Sequence, residues 1–456
     1  MATDAENAQT RFRFLQGQTD PPSEHWTNMS VANTANPQFN DLATNGKQFA
    51  WIGGGLPNAI YVVPLEKPFK LPYVYPSIQD AHVSQTSYLT FSPHRESLLA
   101  TGGEDGKVRL WEVPPVLTEN IKESVATFTL KRRIHVIKYS DAIDKLIAIA
   151  TQAPELNLWD INREVSFRNF SDKVNNPIHD IEFSSLSDIL FVVLNDGQLL
   201  QFDPRADGPA VASLVANPTG ARNRRLLYCH DFNLLTSFAL NNRNERQISV
   251  WDPRKFEKPL KSLEFDHNSG NFFPMYQEGS GIIFLGGKGE TSIKFCEICA
   301  DDRVIASSGS FDSTDQERGL CLVPSSFLNF MGCEVARVLK LGSDSLRAVR
   351  FTVPRQRKEF FQDDLYRTIR DTRNGLMQIV DWEKGNLDSF PTIDFCPPGK
   401  KKLSEAPKVQ TKGKYDFKTE INKKKAEGFT IENVLENAPE LSSSPFEKKK
   451  EDSDSW

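Results

Sequence analysis

The chain has 456 residues, 39% of them hydrophobic and 10% aromatic, which is material for a large core. A formal net charge of -5 argues against a dedicated nucleic-acid binder, and six cysteines are too sparse for a disulfide framework. No run of about 18 apolar residues offers a transmembrane helix, and the polar start MATDAENAQT has no secretory h-region, so a soluble cytoplasmic protein is expected.

Residues 11–15, RFRFL, alternate and predict an early strand. AWIGG and AIYVVPL follow as two short apolar strands around turn residues. Residues 104–114, EDGKVRLWEVP, run from an acidic glycine turn into alternating apolar residues that end on Trp111. The same form returns in LNLWDI, LLQFDP, ISVWDP and IKFCEI, with Trp159, Phe202, Trp251 and Phe295 as the closing aromatics. These are spaced 43 to 49 residues apart. A period of about 40–45 residues with a W-D signature marks a WD-repeat propeller with four strands to each blade. The large ring at that position fills the wedge between neighbouring blades. RGLCLVP, VARVLKL and RAVRFTVP supply a last blade, which makes seven. RFRFL is the candidate for the missing strand of that blade, closing the ring and covering an open edge.

Trp111 has the residues for a buried hydrogen-bond chain. His82 opens the blade, Thr101 lies on the preceding strand and Asp105 sits in the tight turn. A buried indole N–H needs an acceptor, and a hydroxyl supplies one. The other blades are degenerate: the turn before Trp159 reads APEL, without Asp, and Phe202 has no N–H to donate. Those blades are expected to hold by packing. The fold class is therefore all-β: a seven-bladed WD-repeat β-propeller, with a C-terminal extension packed on one face and a disordered tail.

Chemistry-like motifs resolve into structural ones. GGKGE at 286–290 lacks the spacing of a phosphate loop and leads into a strand, so it is read as a β-turn. Cys296 and Cys299 have no second pair of ligands, and no metal or cofactor is expected. His135, His179 and His230 are read as packed or partnered, and Asp363 and Asp364 as structural carboxylates. No catalytic constellation stands out, so the protein is not expected to be an enzyme. Lys131, Arg132 and Arg133 form one basic cluster, and Arg222, Arg224 and Arg225 another, both placed between strands where a propeller presents loops.

Several separate stretches resemble the coronin family. TRFRFLQG is similar to its opening block and AIYVVPL to its first-blade strand. ERQISVWDPR with LEFDHNSGNFFPMY resembles its Leu-Trp-Asp-Pro block and the Asp-Asn-Ser-Gly stretch after it. GGKGETSIKFCEI, RGLCLVPSS, CEVARVLKL and VPRQRKEFFQDDLY are similar to the blocks that complete the propeller and lead onto its underside. The resemblance implies binding to filamentous actin and regulation of the branch-nucleating actin-related-protein complex, in the cytoplasm and the actin-rich cortex. Under it, the actin-binding candidates are Arg11, Arg13, Lys131, Arg132, Arg133, Arg222, Arg224 and Arg225. The family's exposed basic residue on the first blade falls near Ser30, where no Arg or Lys stands. That departure points to the alternative of a scaffold or membrane-trafficking adaptor without actin binding.

The resemblance and the composition divide the chain into a propeller at 10–370, an extension at 371–400 and a Lys-rich linker and tail at 401–456. The tail has no sustained heptad repeat, so a monomer is expected. It holds a short amphipathic stretch, EGFTIENVLENA, and ends EDSDSW. Acids around a tryptophan suit contact with the branch-nucleating complex, carboxylates steering and the indole anchoring. Asp452, Asp454 and Trp456 are the candidates.

Overall fold

A computed structural model describes residues 10–32, 40–54, 58–216, 222–241, 243–268, 270, 272–299, 304–386 and 388–407. Seven antiparallel sheets follow one another along the chain. Blade 1 has three strands, Leu42–Thr44, Gln48–Ile52 and Ile60–Pro64, and Ile78 bridges Ile60 at its outer edge. Blades 2 to 6 each have four strands in sequential order, from Thr86–Phe91 of blade 2 to Ile305–Asp312 of blade 6. Blade 7 takes Gly319–Leu322, Glu334–Leu341 and Ser345–Thr352 from late in the chain. Its last strand pairs with Gln16–Thr19 and Trp26–Thr27 from the start, so the ring closes by joining the two ends of the propeller.

The closing strand thus begins just after RFRFL rather than within it. Residues 11–14 form a turn. Phe12 is buried in the cluster between blades 6 and 7, and the Arg11 guanidinium donates to the Ser280 and Asp364 carbonyls. Side chains plugged into the underside in this way are not free to alternate across a strand.

Turn chemistry sets the blades. Asp105 accepts the Lys107 N–H, and Asp196 the Gln198 N–H, each before a glycine of positive φ (Gly106 and Gly197). A Cβ on Gly106 would stand 2.8 Å from the Leu130 carbonyl, so only glycine fits there. GGKGE is such a turn: the Gly289 N–H donates to the Glu317 carbonyl, Lys288 pairs with Asp41 at 2.8 Å and Glu290 with Arg246. These bonds tie blade 6 to blades 1, 5 and 7.

Apolar clusters lie between blades. Trp111 packs among Ala50, Ile52 and Val62 of blade 1, and Trp251 among Phe191, Val193 and Leu199 of blade 4. Trp159 stacks on Phe128 of blade 2 with ring centroids 4.8 Å apart. Each ring fills the gap to the preceding blade, as its size predicts. In blade 6 the position belongs to Cys296, not Phe295. Trp111 pairs with Leu99, Trp159 with Ile147 and Trp251 with Leu235; in the same register Cys296 pairs with Ile283. Phe295 is one residue off and faces blade 7, against Phe351. A slip of one residue turns a strand side chain to the other face.

After blade 7 the chain crosses the underside. A two-stranded pair, Ile369–Arg370 with Thr392–Ile393, and one short helix, α1 (Ile379–Glu383), are its regular elements. Met377, Ile379 and Trp382 complete the core cluster between blades 3 and 4. Chain contacts divide the molecule between Glu405 and Ala406; almost all of the second unit, including the tail stretch at 427–438, lies outside the described residues. No helix among the described residues is long and apolar enough to cross a membrane.

Candidate interaction surfaces

The blade 2 chain is formed in full. Trp111 Nε1–H donates to Thr101 Oγ1 at 2.9 Å, Thr101 meets His82 Nε2 at 2.9 Å, and His82 Nδ1 meets Asp105 Oδ1 at 3.0 Å. Burial holds the His82 pKa below its ordinary value. A neutral ring with its proton on Nδ1 donates to Asp105 and accepts the Thr101 hydroxyl, so one set of proton positions satisfies every link. Burial works against the Asp105 carboxylate, but His82 and the Lys107 and Val83 N–H groups outweigh it and bring its pKa down. The chain is closed on itself, with nothing left to offer a ligand, and its role is to hold the blade.

On the opposite, underside face, Arg370 is the hub. It reaches Glu278 of blade 6 at 2.8 and 3.1 Å, Asp141 of blade 3 at 3.1 Å and the Ser185 carbonyl of blade 4, with the Phe390 ring 5.0 Å away. Although burial disfavours the cation, these carboxylates raise its pKa. Beside it Ser185 Oγ, His230 and Asp141 stand in a row with the look of a nucleophilic triad. The row is broken: His230 Nε2 is 3.7 Å from Asp141, beyond a hydrogen bond, and Arg370 occupies that carboxylate. Arg355 pairs with Asp364 at 2.5 Å and Asp363 accepts the Ser404 N–H, which gives both acids the structural work expected of them.

The basic candidates do not form one surface. Hairpin turns within strands one and two of each blade lie on the underside, while blade-to-blade connections lie on the other face. Arg11 is on the underside, half-buried and paired with Glu297 at 3.7 Å, and burial lowers its pKa. Arg13, nearby, is exposed. Lys131 and Arg132 are exposed on the connection between blades 2 and 3, on the opposite face, with Arg133 held 3.5 Å from Glu104.

The second cluster is corrected. Arg222 to Cys229 form a strand, not a loop, and the ladder slips between Arg222 and Arg225. The bulge, with Asn223 at positive φ, sends Arg224 inward. Arg224 is 1% exposed and donates to the Asn195 carbonyl at 2.6 Å, so it is no surface charge. Arg225 is half-buried and lines the central channel beside Asp180 and Lys138. Asp452, Asp454 and Trp456 lie outside the described residues.

Two features had no signal in the sequence pattern. One is the Arg370 hub, whose partners lie 92 and 229 residues away. The other is a groove of about 800 Å³ on the underside between blades 1, 2 and 7, lined by Gly46, Pro64, Val113, Pro115, Val116 and Phe327. The cations on its rim are paired: Lys47 with Glu96, Arg95 with Glu112 and Arg337 with Glu334.

Residues 346–387, from the last propeller strand across the underside to α1, match a type of WD40 repeat. The chain is 27% identical over 414 residues to coronin-7 of Rattus norvegicus and 28% identical over 411 residues to coronin-7 of Bos taurus, in each case over 88% of its length. It is 26% identical to the coronin-like protein crn1 of Schizosaccharomyces pombe over 78% of its length. It spans about half the length of these relatives: 43% and 44% of the two coronin-7 proteins and 59% of the yeast protein. Among solved structures, the WD40 domain of Toxoplasma gondii coronin superposes with a TM-score of 0.76 at 23% identity, over 84% of this chain and 97% of that domain. The chain thus folds as a closed seven-bladed ring with an underside strap, and it is similar to coronins over most of its length.

Proposed function

We propose that this protein binds filamentous actin and helps to organise the actin cytoskeleton as a non-enzymatic WD-repeat regulator. The observation that carries the reading is an exposed basic pair, Lys131 and Arg132, on the propeller face that the strap leaves open. A filament surface is acidic, and a basic patch on a flat face steers and orients such a partner. The tail, with Asp452, Asp454 and Trp456, contacts the branch-nucleating actin-related-protein complex, which places the protein at the actin-rich cortex.

Co-sedimentation with filamentous actin tests this. The full chain should pellet with filaments at low salt, where screening is weakest. The double reversal Lys131→Glu/Arg132→Glu should weaken binding by about tenfold or more, while Arg13→Glu, on the other face, leaves it unchanged. A full chain that stays in the supernatant at low salt overturns the actin reading. Deleting residues 447–456 should remove affinity for the branch-nucleating complex and spare filament binding.

A second reading has its own observation. Ser30 is exposed at the place of the family's basic residue, and its carbonyl accepts the Trp51 indole N–H at 2.9 Å and the Gly54 N–H at 3.3 Å. If filaments do not bind, the adaptor reading takes over.

A further inference from the structure

We propose that the underside groove between blades 1, 2 and 7 docks a segment of a partner protein that presents aliphatic side chains beside a lysine or arginine. The groove holds about 800 Å³, within the range of roughly 300–1,000 Å³ that binding clefts occupy. Its shape is set before any partner arrives. Gly46, in the first hairpin turn of blade 1, has a φ of 88°, and a Cβ there would collide with the Phe327 ring from blade 7. Pro64 ends the third strand of blade 1, and Pro115 follows the third strand of blade 2. Walls stiffened by proline lose little conformational freedom when a ligand settles on them. None of the described residues of the strap lines the groove, and Val116 on its wall is 57% exposed. An open apolar trough with a polar rim is the mark of a surface made for another molecule.

The polar groups around the trough narrow what it can hold. The Gln48 carboxamide donates to the Pro114 and Pro115 carbonyls at 2.7 and 3.0 Å. The Asn45 side chain donates to the Glu96 carbonyl and accepts the Lys47 and Gln48 N–H groups. Ser97 Oγ donates to Glu112. Lys47, Arg95 and Arg337 each face a carboxylate already, so no spare positive charge awaits a phosphate or an acidic segment. Among the charged residues that line the groove, Glu66 alone has no ion pair among the described residues, and it is exposed. Apolar walls with one unpaired carboxylate favour aliphatic side chains next to a cation and repel an acidic segment. Lys131 and Arg132 lie on the opposite face and suit an acidic partner, so the two surfaces are separate and prefer opposite charge.

Random linear peptides displayed on phage and panned on the full chain are the test. The enriched sequences should place leucine, isoleucine or valine within a few residues of lysine or arginine. Made synthetically, these peptides should bind Val116→Asn about tenfold more weakly, the loss expected when one buried aliphatic contact becomes polar. Panning on Glu66→Lys should replace the basic residue of the enriched sequences by an acidic one and keep the aliphatic ones. Both positions are exposed, so neither substitution disturbs the fold. Enrichment of acidic or purely polar sequences on the unmodified chain overturns the proposal, as does no enrichment, or binding that Val116→Asn leaves unchanged. A dimer in sedimentation that Val116→Asn turns into a monomer also overturns it, because the occupant is then a second copy of the chain.

Discussion

Blades 2 and 3 present a tryptophan in the same register, Trp111 opposite Leu99 and Trp159 opposite Ile147, and hold it in different ways. Trp111 is 1% exposed and ends a chain of three side-chain hydrogen bonds. Trp159 is half-buried, stacks on Phe128, and its Nε1–H has no hydrogen-bond partner. Blade 5 falls between them: Trp251 donates to Ser237 Oγ at 2.8 Å. The ring at this position is kept for its volume. The hydrogen-bond chain is an addition that a blade can do without when a neighbouring aromatic covers the indole.

The largest expected effect tests the shared role. Trp111→Ala empties a fully enclosed site between blades 1 and 2 and should cost about 3–5 kcal/mol in urea unfolding followed by circular dichroism. Trp159→Ala should cost clearly less, because its site is partly open to solvent and can collapse. Equal losses would mean that neither the deeper burial of Trp111 nor the hydrogen-bond chain around it separates the two blades.

Acid separates the two blades next. Burial lowers the pKa of His82 in blade 2; burial and Arg225 lower His135 of blade 3 to about 3, and do the same to His179 of blade 4. His230 is brought to about 4 by burial and Arg370. A base held neutral in the fold takes up protons first in the unfolded chain, so its contribution is full above about pH 6.5 and is lost as pH falls towards the folded value. Two buried carboxylates act against this. Burial raises Glu182 and Glu317 to about 7, so between there and the ordinary value of 4.5 the fold gains protons that the unfolded chain does not. Stability should fall gently from pH 6.5 to about 4 and steeply below. In the steep range His135 and His179 each cost up to about 1.4 kcal/mol per pH unit. His135→Gln should flatten the steep limb, and a steep limb unchanged by that substitution would remove His135 from its cause.

What could be read beforehand follows the same line. The seven blades were legible because each carries its own local period, and the blade 2 chain because all four of its residues fall in one repeat. The slip at Cys296 was not, because FC offers two candidates for one position and only the pairing with Ile283 decides between them. Arg224 read as a loop charge because three arginines in four residues look solvated; a bulge, which has no mark in composition, turned it inward. The closing strand was placed a few residues early, since Phe12 and Arg11 serve the underside instead of the ladder. Arg370 acts across distant parts of the chain, on a backbone carbonyl and carboxylates that no spacing rule connects.

The smallest effect is the most discriminating. Trp→Phe keeps a large ring in each blade and removes only the indole N–H and part of the volume. In blade 2 that leaves Thr101 Oγ1 without its donor in a fully buried place, while the hydroxyl still serves His82. Leaving a buried acceptor unpaired costs about 1–3 kcal/mol, and Trp111→Phe should fall in that range. In blade 3 the N–H that is lost was buried and unpaired, so its removal relieves a cost and offsets the lost volume. Trp159→Phe should therefore stay within about 1 kcal/mol of the parent. If the two substitutions cost the same, the hydrogen-bond chain adds nothing to the ring that ends it, and the motif would owe its form in blade 2 to packing alone.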